Sequence, residues 1–277
     1  MTEADRLTEQ AHWDRVHSGP RAGARRRAYA ERVLGRERAG YLYEGGYVAY
    51  RFRELLVPHV QPGSRALEVG SAPGLHLAKL ARRLELDPWG LDYSPEGVAA
   101  NRATFEQFGF DPAHVIHADF FADDFVARHG GQFDLVMSHG FVEHFRDVRP
   151  VVARHVALAK PGGLVAISVP NLRGVNGALV KYFNPPLLDA HNLDIMARDA
   201  FAALFDGQGL TPLFCDYLGL FQIGLQSAPA TSPKRHLLRA TTWLQAPLDL
   251  AQRRLFATRS PALPALSPYL YYLGRRV

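Results

Sequence analysis

Three carboxylates of the 277-residue chain accompany successive short apolar runs, at a spacing that could bring them together. Glu68 lies in the first run, Asp92 ends the second and Asp119 follows the third. Carboxylates accept hydrogen bonds from ribose hydroxyls, amino groups and the exocyclic amine of adenine, but they repel pyrophosphate. The three acids therefore predict a site for a nucleoside without phosphates. In the alternative interpretation each acid caps a helix or is solvated in a loop. That interpretation can explain any single acid, but it does not explain why all three have the same position relative to the strands.

A loop of small residues follows the first acid and precedes a helix that carries Leu77, Leu80 and Leu84. A strand, a small-residue loop and a helix form a nucleotide cradle, because a Cβ atom at Gly70 or Gly74 would occupy space that a ligand needs. The loop has leucine where a nicotinamide-dinucleotide fingerprint needs glycine, and it lacks the lysine of a P-loop. Both phosphate-binding interpretations lose support, and S-adenosylmethionine fits the acids better.

The elements that must position these residues alternate between apolar runs and helical stretches from Arg65 onward. Such alternation predicts an α/β fold, a parallel sheet with helices on both faces. The first five strands are predicted over Ala66–Val69, Trp89–Asp92, Val115–Ala118, Phe133–Ser138 and Leu164–Val169. A sixth strand is predicted over Leu213–Phe221 and a last one over Pro268–Leu273.

Segments outside these strands are predicted to cover the site. Residues 1–60 are interpreted as an N-terminal helical flap, and residues 61–277 as the remaining domain. The stretch at about 171–196 is rich in Asn, Gly and Pro and predicts a long lid loop. The basic, apolar-striped segment at about 230–266 predicts two helices that pack on their own domain, with peripheral membrane contact as the alternative.

Tyrosines are concentrated near the end of the predicted flap, at positions Tyr41, Tyr43, Tyr47 and Tyr50. We interpret them as part of a cover over the cofactor. For each one taken singly, ordinary packing of an aromatic side chain is an equally good interpretation.

The amino-acid composition indicates the broad class of protein. With 47% apolar and 21% charged residues and a single cysteine, the chain is expected to be globular and cytoplasmic, without a disulfide framework. A net charge of +5 would allow a nucleic-acid partner. The densest basic cluster, residues 21–38, is interrupted by Glu31 and Glu37 and has no aromatic platform. We interpret it as a solvated helical face and expect a small-molecule partner rather than nucleic acid.

Several motifs together resemble the class I S-adenosylmethionine-dependent methyltransferases. They are Glu68–Gly74, Asp92–Pro95, His117–Phe120, Phe133–Val136, Glu143–Phe145 and Lys160–Gly163, and the resemblance covers about residues 60–220 with the last strand. It implies a Rossmann-like, seven-stranded, mostly parallel sheet with an antiparallel last strand. It also implies S-adenosylmethionine as cofactor and S-adenosylhomocysteine as product, but it identifies no substrate.

The resemblance further implies which residues contact the cofactor. Those of the first loop are Glu68, Gly70, Ser71, Ala72 and Gly74, with Ala72 in place of the family's middle glycine.

The other implied contacts follow the second, third and fourth strands. Asp92 would bind both ribose hydroxyls, and Asp119 would bind adenine N6. Tyr93 and Phe120 would flank the adenine ring, and the backbone carbonyl of His139 would face the sulfonium.

Methyl transfer is an in-line displacement at a carbon activated by positive sulfur, so the protein mainly aligns the reactants and excludes water. A hydroxyl or phenol acceptor also benefits from a base, and histidine is the natural candidate. His144 follows the fourth strand, where its alternative role is to shape the pocket. His191 lies in the predicted lid, where its alternative role is to cap a helix.

The expected activity is methylation of a small organic molecule, with oxygen acceptors favoured. The alternatives are an RNA methyltransferase that uses residues 21–38 and a non-catalytic S-adenosylmethionine-binding protein. Some quinone-related methyltransferases of this fold hold a divalent metal at the Glu-His motif with a further acid. Gly140 stands at the position of that acid, and Glu143 with His144 would be a sparse ligand set. We therefore expect no metal and turnover that survives a chelator.

Overall fold

A seven-stranded sheet with the order β3-β2-β1-β4-β5-β7-β6 forms the centre of the protein. The computed structural model describes residues 5–9, 13–14, 32, 46–223, 227–229, 231–241 and 244–277. Its strands are β1 (Arg65–Val69), β2 (Asp87–Asp92), β3 (Val115–His117), β4 (Phe133–His139), β5 (Ala159–Pro170), β6 (Leu210–Leu218) and β7 (Tyr269–Arg276). Strands β1 to β5 pair in parallel, and β7 is antiparallel to both of its neighbours. The predicted sheet architecture is confirmed.

Helices cover both faces of this sheet. Those of the described residues are α1 (Tyr47–Leu56), α2 (Leu75–Leu84), α3 (Pro95–Phe108), α4 (Asp123–His129), α5 (Arg149–Leu158), α6 (Gly174–Phe183), α7 (Pro186–Asp189), α8 (Arg198–Ala203), α9 (Lys234–Thr241) and α10 (Gln245–Leu255). Short 3-10 turns lie at Pro112–His114, Val142–His144 and Leu193–Met196. No helix within these ranges has the length and apolarity that crossing a bilayer requires.

The central strands of the sheet are buried on both faces, with four of the five residues of β1 and five of the seven residues of β4 buried. Leu67 and Val69 pack into a cluster that includes residues of α4, α5 and α8. Ala66, one position away on β1, packs into the opposite cluster with residues of α1, α2 and α3. Since side chains alternate along a strand, neighbouring residues at a strand end also face opposite sides.

The lid predicted as a loop over residues 171–196 is helical instead, with α6, α7 and the turn Leu193–Met196. Two of the Asn residues that suggested a loop, Asn171 and Asn176, make tertiary contacts with residues 264–267. The side-chain amide of Asn171 donates to the Pro264 and Ser267 carbonyls at 2.8 Å each. That of Asn176 donates to the Leu266 carbonyl at 3.2 Å. The composition of the segment therefore reflects how it docks, and the loop prediction was wrong.

Helix α1 is part of the core, although it belongs to the residues predicted as a flap. Tyr47 is fully buried, its backbone N–H donates to Asp249 Oδ1 on α10 at 2.9 Å, and its hydroxyl donates to the Phe256 carbonyl at 2.7 Å. Ordinary packing is therefore what the structure shows for this tyrosine. Tyr41, Tyr43 and the basic cluster 21–38, apart from Arg32, lie outside the described residues.

The segment predicted as a helical insertion holds α9 and α10. Its apolar stripe packs only in part on the domain. Leu238 is buried, whereas Leu237, Leu244 and Leu255 are exposed.

Candidate functional site

A pocket opens where the strand order reverses between β1 and β4, the place at which open α/β sheets bind ligands. It holds about 770 Å³ of empty space, part of it continuous with solvent. Eight of the residues singled out from the sequence line it, namely Gly70, Ala72, Asp92, Tyr93, Asp119, Phe120, His139 and His144. The carboxyl ends of β1, β2, β3 and β4 thus bring the predicted nucleoside contacts together with a predicted base.

Asp92 ties the small-residue loop to the end of β2. The side chain is almost fully buried, and its Oδ1 accepts from the Ser94 N–H at 2.9 Å while Oδ2 accepts from the Ala72 N–H at 3.2 Å. The loop closes on itself through a bond from the Gly74 N–H to the Ser71 carbonyl at 2.6 Å. A carboxylate has about four lone-pair positions. Asp92 can therefore hold the loop and still accept hydrogen bonds from a ligand.

Protein contacts by themselves require glycine at both loop positions, and the clearance for a ligand that the sequence suggests stays a prediction. Both have a positive φ, +67° at Gly70 and +79° at Gly74. A Cβ atom at Gly70 would lie 2.7 Å from Cδ2 of Phe141. At Gly74 it would overlap Oδ1 of Asn101 and lie 2.7 Å from its Cγ.

Replacing Gly74 with alanine should lower the free energy of unfolding by about 2–5 kcal/mol, from left-handed strain together with overpacking. Asn101 cannot yield easily because it is fully buried and its amide donates to Ser71 Oγ. Urea denaturation measures the loss. Gly109→Ala is the matched control, since its φ is +80° and no described atom lies within 4 Å of an added Cβ. Equal losses in the two variants would contradict the steric argument.

Arg6, near the N-terminus, forms an ion pair with Asp119, which follows β3. Its Nη2 lies 2.8 Å from Oδ1 and 2.6 Å from Oδ2, and its guanidinium lies over the rings of Tyr93 and Phe121 at 5.4 and 5.3 Å. Burial raises the pKa of Tyr93 to about 12, so its hydroxyl stays protonated at neutral pH. A carboxylate, a cation and two aromatic faces at one place suit a flat, hydrogen-bonding ring such as adenine.

Residues 5–9 lie along the turn that carries His144. The Leu7 N–H donates to the His144 carbonyl at 2.8 Å, and the Arg146 N–H donates to the Asp5 carbonyl at 2.9 Å. The Ser94 hydroxyl donates a further hydrogen bond to Asp14 Oδ1 at 2.6 Å. This N-terminal segment adds three residues to the pocket that sequence reasoning missed, Arg6, Thr8 and Trp13.

Aromatic rings form the wall of the pocket beside His144. Phe141 lies 5.2 Å from Phe145 and 5.6 Å from Phe120, measured between ring centroids. Phe121 lies 5.1 Å from Phe145. All four line the pocket, and three of them were not identified from sequence. The wall is therefore suited to an apolar, flat partner next to the nucleoside site.

His144 lines the pocket from the turn Val142–His144. Its Nδ1 lies 2.8 Å from the Ala190 carbonyl, and a carbonyl can only accept, so in the neutral ring Nδ1 carries the proton. Nε2 is then the basic nitrogen. The ring contacts Trp13 edge-on at 4.9 Å and His191 at 4.6 Å. In this tautomer Nε2 is the nitrogen that can accept a proton.

His191 and Glu143 lie close to His144 and do not line the pocket. Glu143 is fully buried, and neither of its oxygens has a hydrogen-bond partner among the described residues. Burial raises the pKa of Glu143 to about 8. One ligand atom from each of the three residues lies within 4.8 Å of the others. The structure thus adds His191 to Glu143 and His144, which formed a sparse metal-ligand set in the sequence. The expected absence of a metal stays a prediction.

The remaining predicted residues lie beside the pocket. Ser71 is buried and its N–H donates to the Leu91 carbonyl at 3.0 Å, so it fixes the loop to β2. Glu68 is buried on the α2 side of the sheet, with Oε1 3.5 Å from Nδ1 of His76. The cofactor contacts assigned to Glu68, Ser71 and Gly74 stay predictions, as does a catalytic role of His191.

A family model described as "Methyltransferase domain" matches residues 41–213. A ubiquinone biosynthesis O-methyltransferase of Cereibacter sphaeroides is 33% identical over 119 residues, which are 43% of this chain and 46% of that protein. The protein of the same name from Escherichia coli O7:K1 is 30% identical over 129 residues, 47% of this chain and 50% of the relative. The chain spans about half the length of the curated relatives it matches.

Two solved structures share the fold. A putative methyltransferase of Haloferax volcanii, in complex with the Trm112 methyltransferase activator, superposes with a TM-score of 0.54 at 17% identity. That match covers 96% of this chain and 97% of the other. The geranyl diphosphate C-methyltransferase of Streptomyces coelicolor superposes with a TM-score of 0.54 at 16% identity, over 82% of this chain and 79% of the other.

Proposed function

Because the chain belongs to the class I S-adenosylmethionine-dependent methyltransferases, we propose that it transfers a methyl group from S-adenosylmethionine to a small organic acceptor, with an oxygen atom as the favoured nucleophile. The observation that carries the proposal is the composition of one pocket. It joins two carboxylates for a nucleoside, an aromatic wall and a histidine in the tautomer of a base. When bound, the cofactor supplies an electrophilic methyl group on positive sulfur.

The residues at the strand ends fit the adenosine part of the cofactor. Asp92 keeps acceptor capacity for the ribose hydroxyls beyond its bonds to two backbone N–H groups. Asp119 can accept from adenine N6 on lone pairs that Arg6 leaves open, and Tyr93 and Phe120 border the same space. Ala72 and the backbone carbonyl of His139 are proposed for the methionine side, as the family's pattern implies.

The acceptor is proposed to lie against the aromatic wall, within reach of His144. Phe121, Phe141, Phe145 and Trp13 exclude water and orient a flat acceptor. Nε2 of His144 would take the proton of a phenolic hydroxyl as the new bond to carbon forms. The names of the curated relatives, O-methyltransferases of ubiquinone biosynthesis, also favour an oxygen acceptor.

We further propose that the pocket is covered by segments added to the central sheet. They are residues 5–9 and 13–14, the helical segment at about 171–196 and the helices α9 and α10. The first contributes Arg6 and Trp13 to the pocket. The second supplies the carbonyl of Ala190 that orients His144.

The direct test is to incubate the protein with S-adenosylmethionine and a panel of phenols, catechols, amines and RNA, and to quantify S-adenosylhomocysteine and methylated product by mass spectrometry. We expect equal amounts of S-adenosylhomocysteine and methyl ether with an aromatic hydroxyl compound. A reaction without acceptor gives the background. Methylation of RNA alone, with steep salt dependence, would replace this proposal with an RNA methyltransferase. Cofactor binding with no product from any acceptor would favour a non-catalytic binding protein.

A further inference from the structure

A second group of chemistry-bearing side chains lies beneath the pocket on the α2 side of the sheet. Glu68 lies next to the end of β1, His76 in the first turn of α2, and His139 at the end of β4. One ligand atom from each of these residues lies within 4.8 Å of the other two. The two imidazole rings are 4.0 Å apart between centroids. Three separate elements therefore converge on one point.

The polar atoms at this point lack partners. Glu68 Oε2, His76 Nδ1 and His139 Nε2 are buried, and none of them makes a hydrogen bond within the described parts of the chain. The Glu68 side chain is only 5% exposed. The 3.5 Å approach of its Oε1 to His76 Nδ1 is not a hydrogen bond by geometry. Buried polar atoms are nearly always paired, so three of them around one point indicate a ligand that they share.

The surroundings of His139 prepare one nitrogen for such a ligand. Its Nδ1 lies 2.6 Å from Oγ of Ser168, which holds the ring and directs Nε2 toward the other two side chains. Phe52 packs edge-on against the His139 ring at 5.0 Å, and Tyr271 lies 5.6 Å away. A hydrogen bond on the far nitrogen and an apolar surround are typical of histidines that bind metals.

We propose that Glu68, His76 and His139 bind one divalent transition-metal ion, with Zn²⁺ as the best fit. Two imidazole nitrogens and one carboxylate oxygen are a common zinc ligand set, and three protein ligands leave a fourth position for water or a small molecule. Zn–N and Zn–O bonds of about 2.0–2.2 Å require the three ligand atoms to move closer together. Side-chain rotation at Glu68 and His76 can supply that movement without displacing the strands.

The group formed by Glu143, His144 and His191 is the competing site. Its two histidines are held through Nδ1 by backbone carbonyls, His144 at 2.8 Å from Ala190 and His191 at 2.6 Å from Leu187, which suits metal binding as well, so the variants described below decide between the two groups. At the Glu68 site, a ring nitrogen of each histidine is buried without a hydrogen bond. Methyl transfer itself needs no metal, so turnover is still expected to survive a chelator, and failure of zinc binding would leave the proposed activity standing.

The test uses the full chain, freed of metal by a chelator and then dialysed. Co²⁺ titration followed by visible absorption reports coordination directly, and Zn²⁺ competition against a chromophoric chelator gives the affinity. We expect one equivalent of Co²⁺ that Zn²⁺ displaces. Ser168→Ala should weaken zinc binding roughly 10- to 100-fold, the usual effect of losing a hydrogen bond to a metal-bound histidine. His76→Gln and His139→Gln should weaken it further.

Two control variants make the result specific. His114→Gln changes a half-buried histidine that lies 3.2 Å from the Asp87 carboxylate and stacks on Trp89, and it should bind zinc as the wild type does. His191→Gln should also retain binding. Circular dichroism and urea denaturation without metal show that each variant is folded. Two results would overturn the proposal. One is that folded wild-type protein binds no stoichiometric metal, and the other is that His191→Gln loses binding while His76→Gln keeps it.

Discussion

Asp92→Ala should weaken the binding of S-adenosylmethionine by about 1–3 kcal/mol, roughly 5- to 150-fold in Kd. Two losses add in this variant. The ribose hydroxyls lose charge-assisted hydrogen bonds in a buried place. The small-residue loop also loses its connection to the end of β2, because the Ala72 N–H and the Ser94 N–H both donate to this carboxylate. Isothermal titration calorimetry with the cofactor and with S-adenosylhomocysteine measures the change.

The matched control lies at the other end of the same strand. Asp87 accepts from Trp89 Nε1 at 3.0 Å and lies 3.4 Å from Arg65, and it does not line the pocket. Asp87→Ala should therefore leave the cofactor affinity unchanged. Asp92→Asn keeps one acceptor oxygen without the charge and should fall between wild type and Asp92→Ala. Equal affinity in Asp92→Ala and wild type would remove this carboxylate from the cofactor site.

The sheet could be predicted from sequence because its central strands are buried on both faces. Such strands contain short continuous apolar runs, of which Leu135–Met137 in β4 and Leu164–Ile167 in β5 are examples. The segment at 171–196 could not be predicted in this way. The side-chain amide of Asn171 donates to carbonyls 93 and 96 residues away, which is information that local composition does not carry.

The candidate site was predictable only where its residues follow strand ends. Asp92 and Asp119 line the pocket as expected, whereas Glu68, one residue before the end of β1, faces the α2 side. Its register partner on β2 is Gly90, two residues before Asp92, so Glu68 lies further from the strand ends than the other two acids. Arg6 could not be found, because its contact with Asp119 joins residues 113 positions apart and no periodic pattern marks it.

The position of His191 shows how the helical segment prepares the proposed base. Helix α7 and the residues after it place the Ala190 carbonyl on Nδ1 of His144 and the His191 ring against the His144 ring. The Asn192 N–H, next along the chain, donates to the Glu143 carbonyl at 2.7 Å. The segment predicted as a lid therefore orients the His144 ring, and we propose that His191 acts through that ring as a positioning residue.

His144→Ala should lower turnover by roughly 10²- to 10⁴-fold if the acceptor is a hydroxyl or phenol, because general base catalysis contributes about that much. Cofactor affinity should stay near the wild-type value, since the nucleoside contacts lie at the ends of β2 and β3. Single-turnover formation of S-adenosylhomocysteine measures the rate, and calorimetry measures the affinity. Reduced affinity with an unchanged single-turnover rate would assign His144 to the shape of the pocket instead.

His191→Gln separates the base from the residue that positions it. Glutamine cannot reproduce the ring contact with His144, but the Ala190 carbonyl that fixes the tautomer is part of the backbone and remains. We therefore expect a smaller loss of turnover in His191→Gln than in His144→Ala. Both variants must unfold at the same urea concentration as the wild type for the comparison to hold. An unchanged rate in His144→Ala together with a large loss of rate in His191→Gln would show that His191 is the base. Unchanged rates in both variants would indicate an acceptor that needs no base, such as a neutral amine.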